Sequence, residues 1–328
     1  MEDDFLLEPE SRFRRMTRWM KGRATIGTLA TIGAVIVAAL LLYYPVGMVV
    51  MHKIDDDPTF DADPTVPEGA SYAVAVAADL VEREVDVSGW RASDPFFFAT
   101  APLDNMPNFQ LGIMAAISRF AVEMTDQIGR SRGSSQADVD LDEAAGFLKY
   151  PGTRWLWDLQ TSLLPRASSA DQYREGVRAL RQYNERLAKG QAVFERRADN
   201  LLATLERFAA DLGSSSVQLE RQVLHGGGIL FDFTSDDIFY NTKGKLYAYA
   251  LLFRALGRDF APVIAERNLT TLWKQTEDSL FEAAELQPWV VINGNPMSQV
   301  LPSHLASQGF FLLRARVQIR EITNVLLK

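Results

Sequence analysis

The chain contains no cysteine. Disulfides, thiolate metal sites and cysteine nucleophiles are therefore excluded. An oxidising compartment is compatible with this absence but not required by it. Histidine is nearly as scarce, with only His52, His225 and His304, and neither His-x-x-x-His nor Glu-x-x-His occurs. A di-metal helical bundle needs inward Glu-x-x-His pairs, so that form is excluded, and we expect no metal and no cofactor. Lys-Thr-Gly is also missing, and the one Gly-x-Ser-x-Gly, Gly129-Arg-Ser-Arg-Gly133, sits in a polar break between predicted helices rather than at the strand-to-helix turn of a nucleophile elbow. His225-Gly-Gly-Gly matches an esterase oxyanion tetrapeptide, and Thr271-Leu-Trp-Lys274 matches a penicillin-binding spacing. Without the α/β context of the one and the companion motif of the other, both read as structural: a helix stop with a flexible turn, and a solvated helix residue. Basic charge is in deficit, with 34 Lys and Arg against 42 Asp and Glu and a net charge of −8. An acidic chain of this kind argues against nucleic acid and against electrostatic adhesion to anionic headgroups.

What is present begins with Ala24–Met51, 28 residues without a charge. About 20 apolar residues cross a hydrocarbon core of roughly 30 Å, and a run this long must pair its backbone as a helix. Pro45 is expected to kink or end it. The run is about twice as long as a signal peptide's apolar region and lacks a small-x-small cleavage site, so it reads as an uncleaved anchor. Arg12, Arg14, Arg15, Arg18, Lys21 and Arg23 precede it, whereas Asp55, Asp56, Asp57, Asp61 and Asp63 follow. The basic side stays in the cytoplasm, which leaves the N-terminus inside and some 277 residues outside. Trp19 and Tyr43/Tyr44 suit the two interfacial belts.

Four regions follow: a cytoplasmic basic tail over 1–23, the anchor over 24–51, an acidic proline-rich linker over 52–70 and a periplasmic helical domain over 71–328. The tail is either an amphipathic segment on the inner leaflet or a topology determinant alone. It is too short for a signalling output domain. Prolines and charges predict an extended, solvated linker, and its spacing does not fit a calcium loop.

Helical periodicity dominates the rest. Ser71 is the expected N-cap of a helix to Asp86. Phe96-Phe97-Phe98 is too aromatic for an idle loop and is expected against the core or a neighbouring surface. Helices are predicted over Asn108–Arg130, Val139–Lys149, around Trp155–Leu159, Val217–Leu224, Asp236–Asp259, Leu269–Leu286 and His304–Lys328. The strongest pattern is Asp171–Leu212, where Tyr173, Leu180, Leu187, Phe194, Leu201 and Phe208 fall seven apart, with only Asn184 and Gln191 polar on the interleaved seam. Such a coiled-coil heptad predicts one rod about 63 Å long, ended by Gly213. It pairs either with the C-terminal heptad (Leu305, Leu312, Ile319, Leu326) or with a second copy. The fold class is all-α: a single N-terminal transmembrane helix and an elongated helical bundle with a long heptad helix.

Asp232, Asp236, Asp237 and Asn241, with Lys243 and Lys245 nearby, form the densest polar cluster and the candidate cleft. The basic flank, the anchor ending Tyr43-Tyr44-Pro45-Val46-Gly47-Met48, the Asp55–Asp57 linker and the blocks Gly227–Gly244 and Leu246–Phe260 together resemble a bacterial family known as domain of unknown function 2333. The resemblance implies an inner-membrane protein of Gram-negative bacteria with an exposed helical domain. It supplies no activity and no functional residues. The expected role is a non-catalytic envelope adaptor or scaffold, held in the lipid bilayer by Ala24–Met51 and engaging a protein partner or itself. The alternative is a hydrolase of envelope material using carboxylates around Asp232–Asp237.

Overall fold

The computed structural model describes residues 12–51, 53–62, 66–101, 103–128, 137–157, 164–226, 232–288, 290–296 and 302–328, with backbone alone over 12–26. The acidic stretch 2–10, Leu159, the polar loop at 131–136 and the segment 229–231 lie outside the described residues. Among those described are ten α-helices and no β-strand, as the all-α reading requires.

Helix α1 (Arg12–Met51) carries the apolar run, and Pro45 lies within it without ending it. Gly27–Met51 is long and apolar enough to cross a membrane. The domain follows as α2 (Tyr72–Glu82), α3 (Asn105–Glu123), α4 (Val139–Leu148), α5 (Ser169–Ala188), α6 (Ala198–His225), α7 (Phe233–Asp259), α8 (Ala261–Glu266), α9 (Thr270–Ala284) and α10 (His304–Leu326). Helix α7 is the axis. Every residue from Leu246 to Phe253 is buried, as befits a helix apolar all round, and α2, α3, α6, α9 and α10 pack about it. Helix α3 approaches closest. A Cβ on Gly112 would lie 2.1 Å from the Asn241 carbonyl oxygen, and one on Gly244 2.0 Å from that of Phe109. The two backbones therefore touch through paired glycine notches.

The continuous rod is corrected. The heptad run divides into α5 and α6, with a turn between them at Gly190 (φ +69°). A glycine in the left-handed region just past a helix end is a common stop, and the apolar periodicity simply resumes beyond it. The Tyr183 hydroxyl donates to the Val193 carbonyl at 2.6 Å and closes the turn. Gly213, expected to end the rod, lies inside α6. Tyr173, Leu180, Leu187, Phe194, Leu201 and Phe208 are all buried in the domain's own core. The C-terminal heptad does pack on α6, with Leu305, Leu312, Ala315, Ile319, Ile322 and Leu326 buried. Polar Asn184 reads backbone rather than a partner helix: its side chain accepts from Ser71 N at 2.8 Å and donates to Ser71 O at 3.1 Å. Ser71 caps α2 as expected, accepting from Val74 N. Among the described residues, Trp155, Leu156 and Trp157 form no helix.

The segment after α1 is also corrected. Rather than a solvated linker, it is a strap bound along α7. Lys243 is buried, with its side chain 1% exposed. Its ammonium donates to Asp56 Oδ2 at 2.6 Å and to the carbonyls of Ala284 and Leu286. Burial pushes its pKa down, and Asp56 and Glu285 pull it back up. Arg83 donates to the Asp55 carbonyl, Glu84 and the Tyr247 hydroxyl, and lies over the Phe60 ring. Further along, Tyr247 donates to Asp57 O, Arg254 to Pro58 O and Arg258 to Asp61.

Removing one member of a buried ion pair costs about 3–5 kcal/mol, because the other charge is left uncompensated. Asp56→Ala should therefore lower unfolding free energy by about 3 kcal/mol in urea titrations. Asp56→Ala combined with Lys243→Met should be the more stable of the two variants. A double variant no more stable than Asp56→Ala would show that the ammonium is not what the strap satisfies.

Candidate functional site

The glycine-notched crossing brings the first turns of α3 and α7 side by side. The C-terminal turns of α6 lie against them, and the three form an open groove of about 640 Å³ lined by Asn108, Gln218, Arg221, Gln222, His225, Asp237, Ile238 and Asn241. It lies at the α1 end of the domain. One turn before Asn108, Asn105 and Met106 line a neighbouring cleft together with Met48 and Val49 of α1.

The four residues of the expected cleft are distributed unevenly. Asp237 and Asn241 line the groove: Asn108 Nδ2 donates to Asp237 Oδ1 at 2.6 Å, and Asn241 Nδ2 reaches Asn108 O at 3.4 Å. Asp232 is the N-cap of α7, accepting from Ser235 N and Oγ and from Gln222 Nε2. Burial raises its carboxyl pKa, but these hydrogen bonds outweigh burial and hold it below the ordinary value. Its role is to fix the helix start. Asp236 is not among the residues that line the groove; burial, then Asp104, then Asp237 push its pKa up to about 6. Asp237 is likewise pushed up to about 6, by burial and then by Asp104, with which it also shares a hydrogen bond. Lys243 belongs to the strap. Lys245 donates to Ser215 Oγ, on α6.

Asp104, Asn108 and the α6 wall escaped the sequence reading. Gln218, Arg221, Gln222 and His225 stand at i, i+3, i+4 and i+7, a polar stripe legible at helical spacing. His225 closes α6, and Gly226 is its C-cap. Asp104 had no local signal: it occupies the N-cap position of α3 but makes no capping bond, which leaves its carboxyl to face Asp237. The Asp104 carboxylate beside it disfavours ionisation of Asp237, which adds to the effect of burial. Arg221 and the His225 and Gln218 side chains supply further polar groups along the groove. Among the described residues, no group of three or more His, Asp or Glu is placed to hold a metal.

The raised Asp236 and Asp237 values fix a sign. A carboxyl with a higher pKa in the folded state favours folding at low pH, and that contribution falls as pH rises from about 4 to 6. Asp237→Asn keeps the Asn108 bond and removes the repulsion. It should raise stability at pH 7 by about 1 kcal/mol, well under the nominal value of a two-unit shift because the site faces an open groove. It should also flatten the fall between pH 4 and 6, read from urea midpoints across that range. An unchanged pH profile would remove Asp237 from the titration.

No curated protein and no solved structure matches the chain. A family pattern described as an uncharacterized protein conserved in bacteria (DUF2333) matches residues 14–226. The match takes in the apolar helix, the strap, and α2 to α6 with their share of the groove. The blocks Gly227–Gly244 and Leu246–Phe260, on which part of the resemblance rests, lie beyond it. Because the match spans more than half of the sequence, the chain belongs to this bacterial family.

Proposed function

We propose that this protein is a membrane-anchored, non-catalytic adaptor or scaffold of the bacterial envelope. In this reading α1 spans the inner membrane, the basic flank lies in the cytoplasm and the helical domain is periplasmic. The exposed apolar face of Gly27–Leu42, which nothing in the domain covers, and the charge difference between its flanks support the anchor.

The observation that carries the adaptor reading is on α10. Its inner face is buried against α6 and α9, yet Phe310, Leu313 and Val317, at i, i+3 and i+7, point outward and are 63%, 49% and 46% exposed. Arg314 and Arg320 flank them on the same face. An apolar stripe rimmed by charge on an otherwise polar helix face is the form of a helix-docking surface. It replaces the heptad seam, whose side chains are occupied inside the domain. Photocrosslinking in cells from positions 310, 313 and 317, read by mass spectrometry, should yield a defined heteromeric adduct. Adducts between copies alone would make the stripe a self-association seam, and their absence at all three positions would overturn the partner reading.

A second reading, hydrolysis of envelope material, draws on the groove, where Asp237, its carboxyl pushed up to about 6, shares the lining with Arg221 and His225. The readings separate genetically. If the scaffold reading holds, Leu313→Asp should reproduce the phenotype of deleting the protein, while Asp237→Asn should complement fully. The reverse pattern would favour the hydrolase.

A further inference from the structure

The loop between α2 and α3 leaves three consecutive phenylalanines uncovered: Phe96, Phe97 and Phe98 are 83%, 47% and 36% exposed. Their rings touch in series, with centroids 5.5 and 5.3 Å apart, and Phe97 meets Trp155 edge-on at 5.5 Å. Leu156 and Trp157 follow Trp155 and are also exposed. This aromatic cluster adjoins the anchor. The Tyr43 hydroxyl donates to Phe97 O at 3.3 Å and that of Tyr44 to Phe96 O at 3.2 Å. One turn further on, a Cβ on Gly47 would lie 2.1 Å from the Ala99 Cβ, so α1 and the loop touch closely there.

Helix geometry sets the height of this contact. Ala24 to Tyr44 is 21 residues, about 31 Å at 1.5 Å per residue, against a hydrocarbon core of about 30 Å. The polar boundary of the bilayer therefore falls at Tyr43 and Tyr44, and the final turns of α1 belong to the domain rather than the membrane. We propose that Phe96, Phe97, Phe98 and Trp155 form a foot that inserts into the headgroup–acyl boundary of the leaflet from which α1 emerges. The proposal rests on α1 being a membrane anchor.

The lipid surface is the occupant the geometry favours, because the cluster is continuous with the lipid-facing side of α1 and lies at its aromatic belt. Phenylalanine and tryptophan rings gain from that boundary. The acidic domain gains nothing there from charge, so insertion of rings is the contact open to it. The opposite end of the domain is well separated: α7 runs about 40 Å from its start beside the groove to Asp259, and the α5–α6 turn at Lys189 lies at that far end, beside the strap's exit into α2.

The absence of native cysteine permits a direct test on the full-length chain in phosphatidylethanolamine–phosphatidylglycerol liposomes. Nitroxides are attached at Phe97→Cys or Phe96→Cys, at Leu42→Cys within the anchor, and at Lys189→Cys at the far end. Power-saturation electron paramagnetic resonance then compares access to oxygen, which partitions into lipid, with access to a water-soluble nickel chelate. Labels at 96 and 97 should resemble the label at 42, favouring oxygen at least several-fold more than the label at 189. Foot labels open to nickel, with position 42 in lipid, would overturn the foot and leave the anchor intact. Position 42 open to nickel would overturn the anchor and the foot with it. Foot labels shielded from both reagents would mean that protein covers the cluster, which also overturns the lipid assignment.

Discussion

A buried ammonium sets the terms for the rest of the chain. Lys243 sits on the axial helix with almost no exposure, and a charge so placed is tolerable only with a counter-charge and filled hydrogen bonds. The carbonyls at the end of α9 supply part of this, and the carboxylate comes from Asp56, a few residues beyond α1. The domain core thus recruits the segment that leaves the apolar helix. The same logic repeats along one stripe of α7, where Lys243, Tyr247, Arg254 and Arg258 meet Asp56, Asp57, Pro58 and Asp61 in order. The strap runs parallel to α7, and α1 enters the domain at a fixed place.

This arrangement explains which parts of the fold were legible. Apolar periodicity reports burial, and it located nearly every helix, including α10 and its packing on α6. It could not report continuity, because Leu187, Phe194 and Leu201 keep their spacing in sequence while the backbone turns at Gly190. The relevant signal was the Lys189-Gly190 stop, which the unbroken heptad outweighed. The strap was misread for a similar reason. Aspartates and prolines describe a solvated chain only when no cations await them, and the cations on α7 lie some 190 residues away. The stripe Lys243, Tyr247, Arg254, Arg258 was present at helical spacing, but nothing local marked it as facing inward.

The groove shows the same division. Asp237 and Asn241 were legible as a polar cluster, whereas Asp104 and Asn108 reach them only through the notches at Gly112 and Gly244. Those notches let two backbones touch and set the first turns of α3 and α7 together. Asp232, equally acidic in sequence, caps its helix and keeps a low pKa. The three carboxyls differ because one accepts hydrogen bonds from a helix start, while two others face each other and Asp104 with few donors. Environment, not composition, separates the structural acid from those poised near pH 6.

The strap also bears on how the domain meets its surroundings. A domain on a flexible tether samples a volume, and its surfaces face all directions. Here the last turns of α1 touch the loop that carries Phe96–Phe98, and the strap pins the next segment to the core, so the two ends of the connection are both fixed. Once α1 is placed in a bilayer, the orientation of everything else follows: the aromatic loop and the groove lie low, and the α5–α6 turn stands farthest away. An acidic domain has no electrostatic reason to stay near anionic headgroups. With α1 as the proposed anchor, keeping the domain there needs either a rigid joint or an apolar contact; residues 43–51 and 53–61 form the joint, and the proposed aromatic foot would be the contact.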